Sequence, residues 1–251
     1  MGKADKKSEI DSLVFNNTLV TDEKDIANTF NTFFTSICSQ QKLDVKDACQ
    51  HMTYNTPLNK FEFTKVSTDQ VRRKLLSMSP KKRGGVEKIP TFIYQNLSNI
   101  IALPITILIN ESFLTKSFPS SLKMALVTPI FKKGDHTNPS NYRPISSLPI
   151  LSKIFETFMN DQLSTFLTSQ QSLNIRQFGF RKSHSCEQLL LSLLDFWKSK
   201  LDSSSPCYIS ALSLDVRKAF DSVSHQLLLN KLKYLGIKAG TGCEPGTDPR
   251  V

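Results

Sequence analysis

This sequence predicts an α+β fold that is mostly helical, with one β-hairpin and a later single strand. Apolar residues recur at helical spacing along most of the chain. Between Ala125 and Ile150 that pattern gives way to two short apolar runs broken by turn residues. Further on, the apolar run Tyr208–Leu214 ends abruptly on the carboxylate of Asp215.

The first twenty or so residues are polar and weakly patterned. Asp22, Glu23 and Asp25 suit a helix start, and Ile26, Phe30, Phe33, Phe34 and Ile37 follow at helical spacing. A polar stretch over about residues 40–58 leads to Ser67-Thr68-Asp69-Gln70, which has capping-box spacing and precedes Val71, Leu75 and Met78. That helix stops in Ser79-Pro80-Lys81-Lys82-Arg83-Gly84-Gly85, a basic turn suited either to phosphate contact or to simple solvation. Residues 89–110 carry no charge, but Gln95, Asn96, Asn99, Asn110 and a mid-segment Pro104 favour a buried helix pair over a membrane span.

The runs Leu126–Phe131 and Asn141–Ile145 read as strands joined by the polar loop Lys132–Ser140. Lys132 or Lys133 then lies near the end of one strand and Arg143 near the start of the other. Their charges can converge on one anion, and a triphosphate suits the arrangement; solvated cations at a hairpin end are the plainer reading. Leu151, Ile154, Phe155, Phe158, Met159, Leu163, Phe166 and Leu167 mark a long amphipathic helix whose stripe is core. Gln177-Phe178-Gly179-Phe180-Arg181 compresses a turn between two aromatics that anchor it, and Leu189, Leu190, Leu193, Leu194, Trp197 and Leu201 give another helix. After the break at Ser203–Pro206, an acid at the end of a buried strand, Asp215, can ligate Mg²⁺ together with a substrate phosphate. The alternative is a strand-end Asp that hydrogen-bonds the following turn. Ser224 caps a last helix carrying Leu227, Leu228, Leu232 and Leu235, stopped at Gly236, and residues 239–251 read as a flexible tail.

Hydrophobic content of 39% and charged content of 22% over 251 residues suit a soluble globular protein. A net charge of +10 makes a polyanion the first partner to consider, although charge alone is weak grounds. The five cysteines are scattered without C-x-x-C spacing, which excludes a disulfide framework or zinc finger and points to a reduced compartment. His184 and Cys186 suit packing or surface placement better than metal ligation. No myristoylation signal or apolar leader begins the chain, so an intracellular protein of nucleus or cytoplasm, without a membrane partner, is expected.

Five blocks in this order carry a resemblance: Pro129-Ile130-Phe131-Lys132-Lys133-Gly134-Asp135, Asn141-Tyr142-Arg143-Pro144-Ile145-Ser146, Ser152-Lys153-Ile154-Phe155-Glu156, Gln177-Phe178-Gly179-Phe180-Arg181 and Leu214-Asp215-Val216-Arg217-Lys218-Ala219-Phe220-Asp221. Together they resemble the reverse transcriptase of non-LTR, LINE-type retrotransposons, in particular the jockey and CR1-like elements. The likeness spans roughly Thr21–Ile237, since Asp25–Asn31 is similar to the segment upstream of such polymerases. It implies a partial right-hand polymerase: a helical extension over residues 1–58, fingers over 59–205, the start of a palm over 206–238 and an unrelated tail over 239–251. Asp215 matches the first catalytic carboxylate, a ligand of Mg²⁺ in the intact parent, with the Val216 carbonyl completing the coordination. Phe220 matches the ring that excludes a 2′-hydroxyl. Lys132, Lys133 and Arg143 match cations that grip the triphosphate, and Gln177, Gly179 and Arg181 match a turn close to template and nucleotide. The implied partners are an RNA template, a DNA primer and a dNTP.

Two departures stand out. The family's upstream loop is Pro-Gly-x-Asp-Gly-like, whereas this chain has Lys82-Arg83-Gly84-Gly85-Val86-Glu87-Lys88-Ile89-Pro90. No Asp-Asp pair occurs anywhere, so the second half of a two-metal palm site is missing and this stretch is expected to be inactive by itself. The Asp215 strand would then lack sheet partners and expose an apolar edge. Two other readings stand beside a polymerase fragment: a non-catalytic basic RNA- or DNA-binding remnant, and a helical interaction protein.

Overall fold

Two hydrophobic clusters organise the described residues, and the segments that supply them are far apart in sequence. The computed structural model describes residues 10–39, 60–80, 84–203, 208–216, 219–220 and 223–237. The expected features at residues 40–58, Lys81–Arg83, Ser204–Pro206, Arg217, Lys218, Asp221 and 239–251 lie outside the described residues.

The smaller cluster forms around a hairpin that the sequence pattern does not reveal. Strands β1 (Leu13–Phe15) and β2 (Thr18–Val20) pair antiparallel. Asn16 and Asn17, at φ 51° and 61°, make the turn; two left-handed residues in a row match the twist of a hairpin, and asparagine tolerates them. Strands of three residues are too short to show a period. Helix α1 (Glu23–Ser39) starts on Asp22, whose Oδ2 accepts the N–H of Lys24 at 3.1 Å and of Asp25 at 3.2 Å. Its residues Ile26 and Phe30 pack with Leu13 and with Tyr142, and the rings of Phe30 and Tyr142 meet edge-on at 4.9 Å.

The larger cluster joins α2 (Thr68–Ser77), α4 (Ser98–Thr115) and α5 (Ile150–Ser169), through Val66, Val71, Leu75, Ala102, Ile105, Ile109, Ile150, Ile154 and Phe155. The capping box at α2 forms as expected: the Ser67 hydroxyl accepts the Gln70 N–H, and the Gln70 side chain accepts the Ser67 N–H. The extended segment leading into α2 is held by side-chain amides. Asn110 Oδ1 accepts the Val66 N–H at 2.8 Å and its Nδ2 donates to the Val66 carbonyl at 2.9 Å. Gln162 does the same for Thr64, at 2.8 and 3.0 Å. Two amides thus satisfy backbone groups that a neighbouring strand would otherwise have to meet.

The expected helix pair is α3 (Thr91–Asn96) followed by α4, with Pro104 accommodated inside α4. The pair is half-buried and not buried as expected: among the described residues only one side of α4 is covered, and Ile100, Leu103, Ile107 and Leu114 face outward. Helix α4 is long and apolar enough to cross a membrane by length and composition. The loop before α3 is anchored to the start of α5: Glu87 Oε1 accepts the Ile150 N–H at 2.8 Å. Gly85 is required there, since a Cβ would lie 2.6 Å from the Ser147 carbonyl oxygen. In place of the family-like Pro-Gly-x-Asp-Gly pattern, this chain supplies a carboxylate that caps a helix, with Lys88 in the left-handed conformation beside it.

Strands β3 (Leu126–Phe131) and β4 (Tyr142–Ser147) form the expected antiparallel hairpin between α4 and α5. Helices α6 (Cys186–Leu201) and α7 (His225–Tyr234) also form at the expected places, with Ser185 and Ser224 as caps. Gly236 at φ 83° and the bond from the Ile237 N–H to the Leu232 carbonyl complete a Schellman stop. Ile237 then bridges Phe61 in parallel. One expectation is corrected. Tyr208–Leu214 forms no strand, and Leu212 and Leu214 are exposed. A strand exists through the hydrogen bonds of its neighbours, and no described segment pairs with this one.

Candidate functional site

The β3–β4 register decides how the hairpin cations are presented. Ile130 pairs with Arg143 and Phe131 with Tyr142, and the Lys132 N–H donates to the Asn141 carbonyl at 2.9 Å, which extends the ladder by one residue. Alternation then sends Phe131 and Tyr142 inward, where their rings meet at 5.4 Å. It sends Ile130, Lys132 and Arg143 to the outer face. Lys132 and Arg143 are diagonal neighbours on that face, both exposed, while Lys133 falls beyond the ladder in the turn. No carboxylate among the described residues pairs with any of the three.

The loop beneath these cations is tied down. Asp135 Oδ1 accepts the Thr137 N–H and hydroxyl, each at 2.9 Å, and the backbone bond first, then the hydroxyl, holds the Asp135 carboxyl below its ordinary range. Asn141 Nδ2 donates to the Asp135 carbonyl at 2.9 Å, and Gly134, at φ 98°, makes room for that amide. The Tyr142 hydroxyl donates to the His136 carbonyl at 2.7 Å, and the His136 ring stacks on Phe131 at 3.7 Å. Burial, and then the Asp135 charge, raises the Tyr142 phenol above its usual value. From the other side the Val14 N–H donates to the Thr137 carbonyl at 2.8 Å, so β1 braces the same loop.

The Gln177–Arg181 turn is also self-bonded. Arg181 donates to the carbonyls of Asn174 at 3.0 Å and Gln177 at 3.5 Å, and Gln177 Nε2 donates to the Gly179 carbonyl at 3.2 Å. The two phenylalanines do different things. Phe178 is half-buried against the His184 ring at 5.6 Å, as an anchor should be. Phe180 is exposed and meets the ring of Phe220 edge-on at 5.7 Å. The sequence reading assigned Phe180 to anchoring; its left-handed φ of 56°, which turns the ring outward, has no signal in composition or period.

The structure therefore brings Lys132 to Arg143, and brings the Gln177–Arg181 turn to Phe220. Asp215 is exposed, with Val216 beside it, and among the described residues no group of three or more His, Cys, Asp or Glu gathers to hold a metal ion. Asp215 and the Val216 carbonyl would supply two of the six oxygens of a Mg²⁺ shell, the remainder falling to water, substrate phosphate or further carboxylates.

Comparison with known proteins bears on the same residues. Residues 130–243 match the family described as reverse transcriptase (RNA-dependent DNA polymerase), a stretch that begins in β3 and includes Lys132, Arg143, Arg181, Asp215 and Phe220. The chain is 27% identical over 226 residues to a protein named as a probable RNA-directed DNA polymerase from transposon BS of Drosophila melanogaster, covering 86% of this chain and 24% of that one. It is 29% identical to a probable RNA-directed DNA polymerase from transposon X-element of the same fly, covering 83% and 22% respectively. A Pol polyprotein from type-1 retrotransposable element R2 of Popillia japonica is 36% identical over 114 residues, 45% of this chain and 15% of its own length. The chain spans about a quarter of the length of the first two of these relatives.

Proposed function

We propose that this chain, whose residues 130–243 are a reverse transcriptase segment related to those of non-LTR transposons, is the nucleotide- and template-gripping portion of an RNA-directed DNA polymerase. One observation carries the reading: two exposed cations without carboxylate partners among the described residues, Lys132 and Arg143, are diagonal neighbours on a hairpin whose loop is braced by Asp135, Asn141, Tyr142 and Val14.

The chemistry assigned to these residues is positional. Arg143 offers a planar donor fork and Lys132 a point charge to the oxygens of a triphosphate, and holding them on a rigid ladder lowers the entropy lost on binding. The ring of Phe220 stands against the sugar and excludes a 2′-hydroxyl. Asp215 takes the place of the first palm carboxylate. Reverse transcriptases in general depend on a divalent metal, which activates the primer 3′-hydroxyl and neutralises the leaving pyrophosphate. The sequence carries no Asp-Asp pair to complete a two-metal site beside Asp215, so grip without turnover is the activity proposed for this stretch.

Binding of dTTP, followed by saturation-transfer NMR or calorimetry, tests the grip. Lys132→Ala and Arg143→Ala are each expected to weaken binding about tenfold, while Lys133→Ala changes it little. Equal losses at Lys132 and Lys133 would argue against the ladder geometry. Primer extension on an RNA template with dNTPs and Mg²⁺ tests turnover. No product above the enzyme-free control is expected, and template-dependent product abolished by Asp215→Ala would overturn the claim of inactivity.

The net charge of +10 favours a second reading, a basic RNA- or DNA-binding module without catalysis. Its signature is an affinity that falls steeply with salt and loses much of that slope in the Lys132→Ala/Lys133→Ala/Arg143→Ala variant.

A further inference from the structure

We infer that Phe180, braced edge-on by the ring of Phe220, presents a stacking platform for an unpaired base of single-stranded nucleic acid. The inference rests on the nucleic-acid reading above and adds to it a contact that depends on ring faces instead of charge. Phe180 is 95% exposed and Phe220 79% exposed, and their perpendicular contact leaves broad ring surface open to solvent. A floppy loop could expose aromatic rings by accident, but this turn is held from several directions. Arg181 spans two carbonyls, Gln177 closes on Gly179, and Asn174 Oδ1 accepts the Arg176 N–H at 2.9 Å. Held so firmly, the turn still places Phe180 in a left-handed conformation that an L side chain adopts at a cost. The neighbouring Phe178 follows the ordinary alternative and tucks against His184.

The surroundings favour a flat, anionic ligand. A Cβ at Gly179 would meet nothing within 4 Å, so one side of the turn is open to approach. Arg176 and Lys182 are exposed on either side, and Arg181 is half-buried behind them. Aromatic rings flanked by cations are the arrangement with which proteins hold single strands: bases stack on the rings while the backbone follows the charge. Any base offers a face to stack, so the platform discriminates little by sequence.

The test uses the full chain, with fluorescein-labelled U15 and dT15 followed by anisotropy at two salt concentrations. Phe180→Ala and Phe180→Leu should each weaken binding about tenfold at both salt concentrations with an unchanged salt slope, while Phe180→Tyr binds as the parent does. The Lys132→Ala/Lys133→Ala/Arg143→Ala variant should lose salt slope instead. Loss on both oligomers assigns the platform to bases as such, and loss on U15 or dT15 alone assigns it to that strand. Circular dichroism of the variants, unchanged because Phe180 is exposed, shows that the fold is retained. Binding that Phe180→Ala and Phe180→Leu leave intact overturns the platform alone. No binding of either oligomer by the parent chain overturns the nucleic-acid reading and the platform with it.

Discussion

Helices α2 and α6 begin with the same device and end in different circumstances. Each opens on a serine whose hydroxyl accepts the N–H three residues on, answered by a glutamine that returns the bond. Each carries a leucine-rich stripe. Yet Val71 and Leu75 of α2 are fully buried, while no residue of α6 is buried at all. The difference lies in what comes near: α2 packs against α4 and α5, whereas the stripe of α6 meets no comparable layer among the described residues. Local chemistry suffices to start a helix. Only a neighbouring surface turns its apolar face into stability.

The largest contrast should come from core truncation. Ile154→Ala removes a fully buried side chain of α5 and is expected to cost about 2–5 kcal/mol. Leu193→Ala in α6 should cost less than about 0.5 kcal/mol, as at a surface site. Urea denaturation followed by circular dichroism measures both, and equal costs would break the contrast. Next is Asn110→Ala, which leaves the N–H and carbonyl of Val66 without their amide partner. A loss of about 2 kcal/mol in the same experiment is expected.

A matched pair of cap substitutions sharpens the comparison further. Ser67→Ala should lower global stability by about 1 kcal/mol, because α2 unfolds with the core. Ser185→Ala should speed amide exchange along α6 while leaving the global midpoint in place, because α6 opens on its own. A midpoint shift of equal size in the two variants would show that α6 belongs to the cooperative unit. The smallest effect concerns Glu156 on α5, whose carboxyl is raised by burial against the opposing pull of Lys153. A raised carboxyl favours folding fully below its unfolded-state value, and that contribution is lost as pH rises through the folded-state value. Glu156→Gln should therefore raise the melting temperature slightly at neutral pH and leave it unchanged in acid.

Much of the fold was legible because local signals and the tertiary environment agree. The capping box at Ser67, the cap at Ser224, the glycine stop at Gly236 and the turn-rich loop between β3 and β4 all depend on residues close in sequence, whereas the Ser185 box, equally local, went unread. The hairpin at Leu13–Val20 was not legible, since two three-residue strands carry no period and only Asn16-Asn17 marks the turn. Nor could the sequence choose between Lys132 and Lys133. Their chemistry is the same, and the ladder bond from Lys132 to Asn141 separates them.

The sequence by itself determined where helices start and stop, which apolar faces they carry, and the ordered blocks that relate residues 130–243 to reverse transcriptases. Caps, turns and periodicity act over a few residues, so they are written in the chain. The tertiary structure alone decided that Lys132 shares a face with Arg143, that Phe180 meets Phe220, and that Glu87 caps α5 from 63 residues away. It also decided that Tyr208–Leu214, strand-like in sequence, has no ladder among the described residues. A strand's bonds and a site's convergence belong to partners distant in sequence, and no local pattern contains them.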